Sequence, residues 1–131
     1  MEPLSDAQRD ELRLRLMARM HELAARVREE LAASDQQHYR DLAGSVADIA
    51  DAALASTLVE LDTASIDRHI SELRDIDAAH ERMKSYEYGI CSDCGDGIAY
   101  QRLSAYPTAK RCLYCQQQYE RSHSRHAASI N

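Results

Sequence analysis

The chain has 131 residues, a formal net charge of -6, 29% charged residues, and neither Phe nor Trp. That length suits one ordinary domain, or a small globular part with an elongated appendage, and leaves little room for a large enzyme core; the apolar surface must be buried along thin seams. The negative charge argues against phosphate-backbone binding as the main activity, because such binders present clustered Lys and Arg.

Residues 1–11 are polar and acidic with no apolar segment behind them, which is not the pattern of a secretory signal. The longest stretches free of charge, such as residues 52–59, are far shorter than the roughly 20 apolar residues of a membrane helix. A cytoplasmic location is therefore expected. In a reducing compartment four cysteines are better suited to hold a metal than to pair as disulfides.

Ser5, with Asp6 beside it, offers an N-cap for a first helix. Leu12, Leu16, Met20, Leu23, Val27 and Leu31 then recur at steps of three or four, the period of one apolar helical stripe. After Gly44 the stripe resumes through Leu54, Leu58, Leu61, Ile66, Ile70, Leu73, Ile76 and Met83. Such narrow faces are not stable alone in water, so the two helices are expected to zip into an antiparallel hairpin. Gly44 and Ser45 would supply the turn, within a connection at about 41–51, and a second helix over about 51–85 would reach roughly 50 Å. The acidic residues Asp41, Asp48, Asp51, Glu60, Asp62 and Asp67 precede the first following base, Arg68, so the connection should form a negative tip. A solvated helical face is the plainer reading of the same charges.

Breakers and aromatics change near residue 88. Gly89, Gly95, Gly97 and Pro107 follow that point, and six of the seven tyrosines lie between Tyr86 and Tyr119. The expected organisation is mainly α: a helical region and hairpin over 1–88, a small domain over 89–117, and a C-terminal helix or tail over 118–131. In the small domain, Cys91-Ser-Asp-Cys94 and Cys112-Leu-Tyr-Cys115 are separated by seventeen residues, within the spacing of a four-cysteine zinc site. Gly95 and Gly97 let the chain turn tightly behind the first pair. Four thiolates close a tetrahedral zinc, leaving no position for substrate, so one structural Zn2+ is expected and catalysis at it is not. His123 and His126, at H-x2-H spacing, read as tail residues rather than ligands. His21, His38, His69 and His80 read as surface or seam residues.

The cysteines, the approach Tyr88-Gly89-Ile90-Cys91, and the segment Arg102-Leu103-Ser104-Ala105-Tyr106-Pro107-Thr108-Ala109 together resemble the zinc finger of the DksA/TraR family. Asp48-Ile49-Ala50-Asp51-Ala52-Ala53 resembles that family's coiled-coil tip motif, D-x-x-D-x-A. The resemblance implies a monomeric transcription regulator that binds RNA polymerase and inserts its coiled coil through the secondary channel, with Asp48, Asp51 and Ala53 brought to the active centre. It also implies that the finger fixes the base of the rod, and that initiation is altered without reading bases. Some members bind the alarmone ppGpp jointly with polymerase through basic residues. Counted from the matched cysteines, three of those positions here are Asp75, Tyr106 and Gln116, none cationic, so joint ppGpp binding is not expected.

Two other functions compete. A nucleic-acid-binding finger would rely on Arg102, Lys110, Arg111, Arg121 and Arg125, but residues 89–131 carry five basic against three acidic residues, a balance of only +2. The preceding acidic rod would oppose a duplex. A redox- or zinc-responsive regulator would rely on labile thiolates. No nucleophile and base pattern or phosphate-binding glycine loop supports an enzyme.

Overall fold

The computed structural model describes residues 3–58, 61 and 63–130, with side chains to residue 123. Its helices are α1 (Asp6–Ala32), α2 (Gln37–Ser45), α3 (Asp51–Thr57), α4 (Ala64–Lys84), α5 (Tyr100–Ala105) and α6 (Leu113–Ile130). Among the described residues the only β pairing is one antiparallel bridge, between Ile90 and Gly97. Among the described residues no helix is long and apolar enough to cross a membrane.

Ser5 caps α1 as its position in the sequence suggests. Its hydroxyl accepts from the Gln8 N–H at 3.1 Å, and the Gln8 side chain accepts from the Ser5 N–H at 2.9 Å. This reciprocal pair satisfies two donors that a helix start would otherwise leave open. From there the whole first stripe, Leu12 to Leu31, is buried. It packs against Ile66, Ile70, Leu73 and Ile76 of α4 in one continuous core. The helices run antiparallel: Glu30 meets His69 near the far end, and Arg19 holds Glu72 with bonds of 2.6 and 2.9 Å further back. At 1.5 Å per residue the 27 residues of α1 span about 40 Å.

The far end of the hairpin departs from the expected single turn. The chain first reverses at residues 33–36, and α2 folds back along α1. Gly44 lies within α2 and makes no turn. A second reversal at residues 46–50 leads into α3, which packs against both α1 and α4. The expected continuous helix over 51–85 is thus two helices, broken between Thr57 and Ala64. Ser56 and Thr57 hydroxyls both bond back to the Ala53 carbonyl, at 3.1 and 2.8 Å, competing with the helix ladder where it ends. Leu54 and Leu58 are buried all the same, because the short helix turns them into the core. Glu60 and Asp62, two members of the acidic run, lie outside the described residues.

Glu72 ties the hairpin to pH. Its hydrogen bonds from Arg19 outweigh burial and hold its carboxyl below the ordinary value of 4.5. The stability this carboxylate contributes is complete above 4.5 and fades as pH falls through the lower folded value. Glu72→Gln should therefore flatten the decline in melting temperature between pH 5 and pH 3, about the range in which carboxylates titrate. Thermal melts followed by circular dichroism would check this.

Candidate functional site

Two features carry the chemistry: the cysteine cluster at the near end of the rod and the acidic turn on its far half. At the first, Gly89 and Gly95 adopt left-handed backbone, with φ of +83° and +79°. Gly97, expected to share this role, instead sits in the bridge to Ile90. The turn is closed by the Cys91 N–H on the Asp96 carbonyl at 2.7 Å and the Gly95 N–H on the Cys91 carbonyl at 3.0 Å. The second pair sits at the start of α6, where the Gln116 N–H donates to the Cys112 carbonyl at 2.9 Å. Helix α6 continues past residue 117, so Cys115 and the C-terminal segment share one element, with Cys112 just before its start.

The four sulfurs lie within 4.8 Å of one another, with Cys94 and Cys112 at 3.9 Å. A tetrahedral zinc with bonds of about 2.3 Å requires sulfurs about 3.8 Å apart, so the donor set and its spacing fit that ion. The cysteines are free thiols, not disulfides. Although burial opposes it, backbone N–H groups pull the Cys91 thiol down to about 6, whereas burial and the neighbouring thiols push Cys115 up. Among the described residues this is the one cluster able to hold a metal. His123 stacks on Tyr119 at 3.8 Å and approaches the Tyr119 carbonyl; the side chains of Arg125 and His126 lie outside the described residues.

A second set of contacts, invisible in the spacing, locks the two cysteine turns together. Arg111 donates to Asp93 at 2.9 Å, Arg102 to the Arg111 carbonyl at 3.0 Å, and the Ser92 N–H to the Lys110 carbonyl at 2.8 Å. The guanidinium of Arg111 also covers the Tyr119 ring at 3.9 Å, the range of a cation–π contact. The only advance signal was opposite charge beside each cysteine pair. Against the rod, Tyr100 donates to Glu11 at 2.6 Å, Arg15 to the Ser104 carbonyl at 2.6 Å, and Arg82 to the Thr108 carbonyl at 3.2 Å. Tyr88 is buried and donates to the Pro107 carbonyl at 2.7 Å; burial pushes its phenol up to about 12.

Gly89 is the tightest point of this junction. A methyl group there would stand 3.1 Å from Leu4 Cδ1, on a backbone that already disfavours any side chain. Gly89→Ala should cost about 1–2 kcal/mol from the left-handed conformation alone. Urea unfolding of the zinc-loaded variant would measure the loss.

At the acidic turn the structure separates the residues of the D-x-x-D-x-A motif. Asp48 and Ala53 are exposed, while Asp51 opens α3 and is half-buried. Its Oδ1 accepts from Arg28 at 2.6 Å, and its Oδ2 lies 3.0 Å from His21 Nδ1. Burial would raise the Asp51 carboxyl, but Arg28 and His21 hold it below its usual range. Arg28 and His21 belong to α1, so the turn lies against the flank of that helix, on the order of 10 Å short of its end at 1.5 Å per residue. Nothing in the sequence pointed to Arg28, because its pairing depends on the fold-back of α2.

Asp75, Tyr106 and Gln116 line one cleft of 610 Å³ between α4 and the finger, together with Arg82 and Lys110. Burial lifts the Asp75 carboxyl above its ordinary range, with Lys110 and Arg82 pulling the other way.

A helical hairpin carrying a four-cysteine finger at its base defines the class of the protein: a zinc-finger protein built on a coiled coil. Residues 86–121 match the model of the prokaryotic dksA/traR C4-type zinc finger. Among curated proteins, the RNA polymerase-binding transcription factor DksA of Caulobacter vibrioides is 30% identical, over 90% of this chain and 80% of that one. DksA of Haemophilus influenzae is 31% identical over 60% of this chain and 54% of its own. The solved structure of transcription factor DksA2 from Pseudomonas aeruginosa superposes with a TM-score of 0.59 at 25% identity, covering 92% of this chain and 88% of that one. The chain belongs to the DksA/TraR family, and its cofactor is the single zinc of that family's four-cysteine finger.

Proposed function

We propose that this protein is a transcription regulator that binds RNA polymerase through the secondary channel and modulates initiation with the acidic turn carrying Asp48, Asp51 and Ala53. The observation that carries this reading is the pairing of a rigid helical hairpin with an exposed carboxylate on its far half, in a chain whose relatives are named as polymerase-binding factors. A helical rod about two helices across suits an opening of matching width, and a carboxylate delivered there can meet basic groups or change the field near a bound metal. The finger, tied to α1 and α4 by Arg15, Tyr100 and Arg82, acts as the fixed base against the polymerase surface. The protein works in the cytoplasm as a monomer and as a regulator rather than an enzyme, without sequence-specific contact to DNA. Immobilised zinc-loaded protein should retain purified RNA polymerase; absence of retention at low salt would refute the reading.

On the same reading, ppGpp is not expected to bind jointly with polymerase. In the cleft formed by Asp75, Tyr106 and Gln116 the carboxylate of Asp75 opposes an anion and offsets the charge of Lys110 beside it, while Arg82 and Arg102 already donate to backbone carbonyls and Arg111 to Asp93. A polyphosphate needs cations that are not otherwise engaged. Titrating ppGpp into the complex, with polymerase whose separate ppGpp site is disabled, should leave the effect on transcription unchanged. A saturable enhancement that depends on this protein would overturn the expectation.

A further inference from the structure

Resting on the polymerase reading above, we propose that Arg28 is the positioning residue of the acidic turn: it fixes Asp51 and the Ile49 carbonyl so that Asp48 is the carboxylate presented to the polymerase. The two aspartates of the motif then have different tasks. Asp51 spends both oxygens inside the protein, one on Arg28 at 2.6 Å and one on His21 at 3.0 Å. Asp48 is exposed and makes no hydrogen bond or ion pair among the described residues.

The grip on the turn is two-pronged. Arg28 Nη1 holds Asp51 and Nη2 donates to the Ile49 carbonyl at 2.9 Å, so one guanidinium pins two points of the backbone that follows Asp48. On the other side the turn is anchored by Val46, 1% exposed. Residues 47–50 thus span two fixed points, and the direction in which Asp48 projects is set by both. Arg28 is itself held in place: only about a quarter of its side chain is exposed, at 26%, and its Nε is buried without a partner. A planar fork can satisfy a carboxylate and a carbonyl at once, which a lysine ammonium on the same stem cannot do in the same geometry. Behind the turn, Leu54 is fully buried, so α3 does not swing away to free Asp51 without exposing core.

The test compares Arg28→Gln, Arg28→Lys, Asp51→Asn, the Arg28→Gln/Asp51→Asn double variant and Asp48→Asn, all as full-length zinc-loaded protein. At a promoter whose transcription in vitro the unaltered protein changes, two quantities are read: the maximal effect, and the concentration giving half of it. Arg28→Gln and Asp51→Asn should each lower the maximal effect about fivefold or more, with half-effect concentrations within about threefold of the unaltered protein, and the double variant should match the singles because they disable one unit. Arg28→Lys, which keeps the charge and loses the fork, should fall between, and helical circular dichroism should stay unchanged for it. A merely structural role would instead raise the half-effect concentration and leave the maximal effect at saturating protein intact. The proposal is overturned if Arg28→Lys and Arg28→Gln keep the full maximal effect while Asp51→Asn loses it, since Asp51 would then meet the polymerase directly. It is equally overturned if Asp48→Asn keeps the full effect. Failure of the unaltered protein to bind polymerase at all would sink the parent reading instead, and is read separately in the retention assay.

Discussion

Removing the metal with a strong chelator at neutral pH should unfold the chain beyond residue 88 while leaving the α1/α4 hairpin helical. The finger has little apolar surface of its own: Tyr88, Cys91, Ile98, Leu103 and Cys115 are its buried apolar residues, and two of those are zinc ligands. Its regular structure is a six-residue helix, a single bridge and the start of α6. Binding of structural zinc supplies about 10–16 kcal/mol in small fingers, far more than such a core contributes. Six of the seven tyrosines lie at or after Tyr86, so the near-ultraviolet tyrosine signal should collapse while most far-ultraviolet helicity persists. Cys115→Ser should give the same state without chelator. The hairpin survives because its core is made by α1 and α4 themselves, and the contacts it loses, from Glu11, Arg15 and Arg82, lie at its near end. Near-ultraviolet spectra unchanged by complete loss of zinc, confirmed by elemental analysis, would show that the site does not hold the finger together.

Asp48→Asn should remove most of the effect on transcription while leaving the fold and the affinity for polymerase nearly intact. An exposed side chain with no partner contributes little to stability, so the change in unfolding free energy should stay within about 0.5 kcal/mol. Asp51→Asn should behave differently. Losing its carboxylate leaves Arg28 half-buried and without its ion-pair partner, a loss of about 1–3 kcal/mol for a group of that kind. Paired measurements of melting temperature and of transcription in vitro separate the two: Asp48→Asn loses activity alone, and Asp51→Asn loses activity and stability together. Equal melting temperatures for both variants would contradict the difference in environment that the structure shows.

Both helical stripes and the cysteine site were legible because each is a local pattern. Burial at Leu12, Leu16, Met20, Leu23, Val27 and Leu31 follows the helical period without reference to anything distant, and the C-x2-C pairs carry their geometry in their spacing. The fold-back of α2 and α3 was not legible. Leu54, Leu58, Ile66 and Ile70 keep helical intervals across a break in the helix, because a short helix that turns inward can preserve the period of a long one. Tyr39 and Val46 fell outside both stripes, and they are buried only because α2 reverses onto α1. Gly44 drew the turn toward itself on intrinsic preference, whereas tertiary packing keeps it in a helix and places the reversals on either side. The acidic motif was found by its letters, but the unequal standing of its two aspartates depended on an arginine 23 residues away in the chain.

The reversal of α2 and α3 also changes the girth of the molecule along its length. Where α1 and α4 pack alone, two helices of about 10 Å diameter give a section of about 10 by 20 Å. Over the far half, α2 lies on α1 and α3 lies against α1 and α4, so the section thickens toward about 20 Å in both directions. The molecule is thus blunt over its far half, on whose flank Asp48 lies, and slimmer toward the finger. An opening that admits this end must be nearly round and about two helices wide each way, and a slot fitted to a simple two-helix coil would stop it before the acidic turn had entered.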